Sequence, residues 1–82
     1  METFFNQARG LLAEQLNIEA ETIAMETSFE GINADSIDIV EMIMALEDLY
    51  DIEFPEEDLD KYPTLGSLIT ILYAFLQREG KI

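Results

Sequence analysis

Residues 31 to 42 read GINADSIDIVEM, and a serine follows an aspartate there just where an apolar, helix-periodic segment begins. Ser36 has three chemical options: nucleophile, helix cap or covalent attachment point. A serine nucleophile needs a positioned base, and the chain has no histidine. Lys61 and Lys81, the conceivable substitutes, sit in no recognisable motif. The cap reading is simple, because serine and aspartate are both common at helix starts. Asp35 suits the N-cap position, and Asp38 three residues on approximates a capping box. The chain has no cysteine, which excludes a disulfide framework and a thiolate zinc site. The acids do not supply a calcium loop. That template wants acids at alternate positions, glycine at the sixth and glutamate at the twelfth. Neither NADSIDIVEMIM nor DLYDIEFPEEDL fits it. Only loose divalent binding is expected, with no dedicated metal site.

The elements that must hold Ser36 are helical. Phe4, Phe5, Ala8, Leu11, Leu12 and Leu16 recur at helical spacing over residues 3 to 16, with Thr3 as a cap. Residues 17 to 34 form a long connection, broken by Thr22, Thr27, Ser28, Gly31 and Asn33. Ile18, Ile23, Met25, Phe29 and Ile32 are expected to pin it to the core, and a connection of that length is often functional. A second helix runs from about 36 to 50. Its apolar residues, Ile37 to Tyr50, are too many for one stripe, so some must stay exposed beside Asp38, Glu41, Glu47 and Asp48. Met25 and Met42 suit the core, and Met44 suits an interface. Pro55 opens a short helix with Glu56, Glu57 and Asp58 at its N-terminus, and Pro63 stops it. Thr64 opens the last helix, about 65 to 78, and Gly80 lies just beyond its end. The expected fold is all-α: a small four-helix bundle of three long helices and one short one, with a long loop between the first two. With no interdomain linker, residues 1 to 82 read as a single domain.

Charge narrows the partners. The chain carries 18 acids against 4 bases, a formal net charge of −14, and between Arg9 and Lys61 there is no basic residue while 16 acids lie there. Such a surface repels nucleic acid and anionic lipid. It attracts basic protein patches and should cost stability at low salt. METFFNQARG lacks the basic start and apolar run of a signal peptide, and no apolar run approaches the roughly 20 residues of a membrane span. No stable membrane association is expected, and the expected location is the cytoplasm.

A very acidic helical bundle with Asp35-Ser36-Ile37-Asp38 opening its second helix resembles the acyl carrier proteins of type II fatty acid and polyketide synthesis. The likeness runs along essentially the whole chain in helix order and length. It is strongest from Ala34 to Pro55: the Asp-Ser pair, Val40-Glu41, Met44-Ala45-Leu46-Glu47, and the acid-rich loop ending in proline. The family's Asp-Ser-Leu becomes Asp-Ser-Ile here. Asn33 stands where the family usually has glycine, and asparagine tolerates a left-handed backbone better than other non-glycine residues. The loop before Ser36 is about one residue shorter than in common fatty acid carriers, and Ile39 and Tyr62 are more apolar than the family pattern.

The resemblance implies that Ser36 carries 4′-phosphopantetheine, moved from coenzyme A by a phosphopantetheinyl transferase with Mg²⁺ at that enzyme's site. Asp35 caps the helix and helps to position that metal. The arm supplies the thiol, so the chain is a non-catalytic carrier and holds acyl intermediates as thioesters. The second helix becomes a docking surface for acyltransferases, ketosynthases and related enzymes with basic patches. Asp35, Asp38, Glu41, Glu47 and Asp48 provide charge, and Ile37, Val40 and Met44 an apolar centre. The interface would be transient and the carrier a monomer. Phe5, Leu46, Phe54, Tyr62, Leu68 and Leu72 either form a plain core or shelter an acyl chain. Two alternatives stay open: a peptidyl or D-alanyl carrier, which shares fold and arm, and an acidic interaction or calcium-binding module with no arm.

Overall fold

The computed structural model describes residues 1–54 and 61–82. Among these lie three α-helices, α1 (Glu2–Leu16), α2 (Ser36–Tyr50) and α3 (Leu65–Arg78), and two single turns of 3-10 helix, Ala20–Thr22 and Glu30–Ile32. The all-helical expectation holds. Among the described residues the one departure from helix and loop is an isolated antiparallel bridge between Ser28 and Thr64. The short helix expected from Pro55, and with it the count of four, lies outside the described residues.

Each helix buries the stripe that its spacing dictates. In α1, Phe4, Ala8 and Leu12 recur every four residues and are buried. In α2 the buried set is Ile39, Met42, Ile43 and Leu46, and in α3 it is Leu65, Leu68, Ile69, Leu72 and Leu76. These residues pack with Ile23, Phe29 and Phe54 from the connections into one core. Burying each large side chain contributes about 1.5–3 kcal/mol before entropy is counted. The Phe4 ring ties the helices together. It stands edge-on to Tyr50, with centroids 5.6 Å apart, and lies 5.9 Å from Tyr73. The Tyr50 hydroxyl donates to Oε1 of Gln7.

Helix ends follow backbone chemistry, with one correction. Thr3 is not a cap. The first turn closes one residue earlier, with the Phe5 N–H on the Met1 carbonyl at 2.9 Å, so Thr3 sits inside the helix and no side chain caps α1. At the other end Asn17 turns left-handed (φ 57°), and the Ile18 N–H bonds the Ala13 carbonyl at 3.0 Å. That turn uses Ile18 to close the helix and leaves its side chain at the rim, 38% exposed, rather than in the core. Met25 is likewise only half-buried, whereas Ile23 and Phe29 reach the core as expected. Gly80 adopts φ 74°, and the Lys81 N–H returns to the Leu76 carbonyl.

The long connection is stitched to the start of α3. Thr64 Oγ1 accepts from the Ser67 N–H at 3.1 Å. The two preceding helix donors, which have no partner within the helix, bond the connection instead. Leu65 N–H reaches the Thr27 carbonyl at 3.0 Å, and Gly66 N–H the Met25 carbonyl at 2.8 Å. A Cβ on Gly66 would stand 2.5 Å from that same Met25 oxygen, so only glycine permits the approach. The Phe29 N–H adds a bond to the Pro63 carbonyl at 3.1 Å.

Candidate functional site

The turn into α2 is built from Asn33 and Asp35. Asn33 takes a left-handed backbone (φ 58°, ψ 31°), the conformation glycine would supply, and the Ala34 N–H closes on the Phe29 carbonyl at 2.9 Å. Asp35 then caps the helix: its Oδ1 accepts from the Asp38 N–H at 3.0 Å, and Asp38 Oδ2 accepts from the Asp35 N–H at 3.2 Å. The reciprocal box is complete. This separates two roles that the sequence leaves overlapping. Capping belongs to Asp35, and Ser36 is the first helical residue, exposed, with no capping duty. The box also engages only the third N–H of the helix, which leaves those of Ser36 and Ile37 at its positive end.

The outer face of α2 carries an apolar stripe. Ile37, Val40 and Met44 are 66%, 47% and 55% exposed, and with Ser36 and Glu41 they line one shallow groove. Serine and stripe therefore form one continuous surface. Leu49 is also exposed, but lies about a third to a half turn away around the helix. The acids assigned to this face are not equivalent. Glu41 and Asp48 are exposed. Asp38 is half-buried and doubly engaged, because its Oδ1 also accepts from Gln15 Nε2 at 3.4 Å. Glu47 is half-buried as well, and its Oε2 accepts the Phe54 N–H at 2.7 Å. Three of the sequence-assigned docking charges, Asp35, Asp38 and Glu47, thus hold the fold.

On the other side of Ser36 lies an open cleft of about 400 Å³ between the loop before α2 and the segment before α3. It is lined by Ser28, Phe29, Glu30, Ala34 and Ile39 from the loop before α2 and α2 itself, and by Lys61, Tyr62 and Pro63 from the segment before α3. Lys61 escaped the site reading because it is 25 residues from Ser36 in sequence and only the fold makes them neighbours. Among the described residues no group of three or more acids could hold a metal ion, and no helix is long and apolar enough to cross a membrane.

Known proteins match this chain over most of its length. A family described as phosphopantetheine attachment site matches residues 6–72. The acyl carrier protein of Clostridium acetobutylicum is 44% identical over 71 residues, which is 85% of this chain and 92% of that protein. The acyl carrier protein of Helicobacter hepaticus is 37% identical over 75 residues, 90% of this chain and 97% of that protein. That of Wolinella succinogenes is 39% identical over 66 residues, 79% of this chain and 87% of that protein. The chain belongs to the acyl carrier family. Acyl carrier proteins are non-catalytic: they hold acyl intermediates on a covalent 4′-phosphopantetheine arm and serve the enzymes of fatty acid synthesis.

The start of α2 suits such an arm. A carrier needs an accessible hydroxyl that the fold does not use, and Ser36 is one. The arm joins through a phosphodiester, and an anion is favoured at a helix N-terminus whose first N–H groups are open. The chain's lack of cysteine is no obstacle, because the arm brings its own thiol.

Proposed function

We propose that residues 1 to 82 act as one acyl carrier domain and that Ser36 is its attachment residue. The observation that carries this reading is the division of labour at α2: Asp35 holds the cap, and Ser36 stands exposed on the first turn. In the modification, Ser36 Oγ attacks the pantetheine-bearing phosphorus of the coenzyme A pyrophosphate, and the P–O bond from that phosphorus to the bridging oxygen breaks. A new P–O bond forms, 3′,5′-ADP leaves, and the hydroxyl proton passes to a base on the phosphopantetheinyl transferase. Asp35, one residue before Ser36, keeps a carboxylate available to the transferase's Mg²⁺.

The docking face is Ile37, Val40 and Met44 flanked by Glu41 and Asp48, with Asp35, Asp38 and Glu47 adding field rather than direct contacts. Basic patches on acyltransferases and ketosynthases complement it. Charge speeds encounter, and the small apolar area keeps release fast. The carrier works as a monomer in the cytoplasm and delivers thioesters to fatty acid or polyketide synthesis. The test is acyl loading. Holo-protein, an acyl-loading enzyme and labelled acyl substrate should give a protein-bound label that neutral hydroxylamine releases. A label that survives hydroxylamine, or none on holo-protein, would reject the thioester carrier.

A further inference from the structure

The apolar stripe on the outer face of α2 contains one atom that is open to chemistry, the thioether sulfur of Met44. The chain has four methionines, and the fold treats them differently. Met42 is buried in the core, Met25 is half-buried, and Met1 is 42% exposed at the N-terminus. Met44 is the most exposed of the four, at 55%, and lines the shallow groove with Ser36, Ile37, Val40 and Glu41. A thioether is the apolar side chain that a two-electron oxidant turns polar, and the change is reversible. We propose that Met44 is an oxidation site that switches the docking face: a hydroperoxide converts its thioether to the sulfoxide, which weakens partner binding and leaves the carrier folded.

This proposal deepens the docking reading above and rests on it. In the reaction the Met44 sulfur attacks one oxygen of hydrogen peroxide. An S–O bond forms and the O–O bond breaks. The sulfur is oxidised by two electrons, and the proton on the attacked oxygen ends on the leaving oxygen, which departs as water. A surface with a net charge of −14 repels anionic oxidants but not neutral hydrogen peroxide. The new S=O group is a strong acceptor, and the side chains of Ile37 and Val40 beside it hold no donor. Burying it against an apolar partner surface should cost about five- to thirtyfold in affinity. The core is spared, because α2 buries Ile39, Met42, Ile43 and Leu46 and leaves Met44 outside. Methionine sulfoxide reductases return the sulfoxide to the thioether.

The experiment uses full-length apo-protein, which has no thiol to compete for the oxidant. It is treated with hydrogen peroxide, freed of it and mapped by peptide mass. Met44 should be oxidised before Met25 and Met42. Affinity for a ketosynthase, measured by surface plasmon resonance, should then fall about five- to thirtyfold, while melting followed by circular dichroism holds. Methionine sulfoxide reductases A and B together should restore binding. Each protein is compared with itself before and after peroxide, and Met44→Leu, whatever its untreated affinity, should lose none. Oxidation of Met25 or Met42 ahead of Met44, an equal loss in Met44→Leu, a loss that tracks unfolding, or full binding by a carrier oxidised at Met44 would overturn the proposal. Val40→Glu tells that failure from failure of the docking reading. If Val40→Glu weakens binding and oxidation of Met44 does not, the switch alone is rejected. If neither weakens it, the docking face is rejected with it.

Discussion

Glu47 and Phe54 are joined across the end of α2: the glutamate carboxylate accepts the Phe54 N–H at 2.7 Å and fastens the turn that delivers the Phe54 ring to the core. Glu47→Lys is therefore not a clean test of docking. It removes a charge-accepting bond worth about 1–3 kcal/mol, and at about 4–8 °C per kcal/mol for a domain of this size the melting temperature should fall visibly. Thermal denaturation followed by circular dichroism checks this. An unchanged melting temperature would show that the bond does not hold the turn.

Glu41 and Asp48 are the informative docking charges, because both are exposed. Glu41→Lys and Asp48→Lys should leave melting within about 0.5 kcal/mol of wild type. Both should slow association with a basic partner enzyme, most strongly at low salt. Surface plasmon resonance against a ketosynthase at two ionic strengths measures it. Unchanged association at low salt would remove these residues from the interface.

Asp35 combines a cap with a charge, and two variants separate them. Asp35→Ala should cost about 0.5–2 kcal/mol through loss of the cap. Asp35→Asn keeps an accepting oxygen, so it should melt near wild type. If the carboxylate assists the transferase's metal, Asp35→Asn should still accept the arm more slowly. Equal modification rates for Asp35→Asn and wild type would confine Asp35 to capping.

Two glycines should respond oppositely to alanine. At Gly66 the new Cβ would meet the Met25 carbonyl oxygen at 2.5 Å, a backbone atom that cannot step aside without breaking the stitch. A loss of about 1–3 kcal/mol or more is expected from the overpacking. Gly10 lies inside α1 with nothing within 4 Å of the added carbon, so Gly10→Ala should stabilise by about 0.5–1 kcal/mol. Denaturant midpoints for the pair test both signs.

What could be read from the sequence was local. The Asp35–Asp38 box, Thr64 as a cap, the burial of Met42 and the exposure of Met44 all depend on residues within one or two turns of each other. Asn33 is also local, because only a few side chains accept the backbone it adopts. What could not be read depends on the partner across the fold. The stitch of Met25 and Thr27 to Gly66 and Leu65 joins segments some 40 residues apart. Nothing near Glu47 in sequence marks it as an acceptor for Phe54, and that Lys61 lines the same cleft as Ser36 follows only from the fold. Ile18 misled because its apolarity says nothing of the helix-ending turn it occupies.

With a formal net charge of −14, like-charge repulsion should weigh on the folded state. Raising NaCl from roughly 10 mM to roughly 500 mM shortens the screening length several-fold, and the melting temperature should rise. A flat profile would mean that the charges are far enough apart in the fold to leave stability unaffected.

The central claim is that Ser36, rather than any other hydroxyl, carries the arm. Its most direct test is the intact mass of wild type and Ser36→Ala before and after incubation with coenzyme A, Mg²⁺ and a broad-specificity phosphopantetheinyl transferase. The account predicts a gain of one phosphopantetheine in the wild type and none in Ser36→Ala, with both folded by circular dichroism. A gain in the folded Ser36→Ala variant, or none in a wild type offered several transferases, would contradict it.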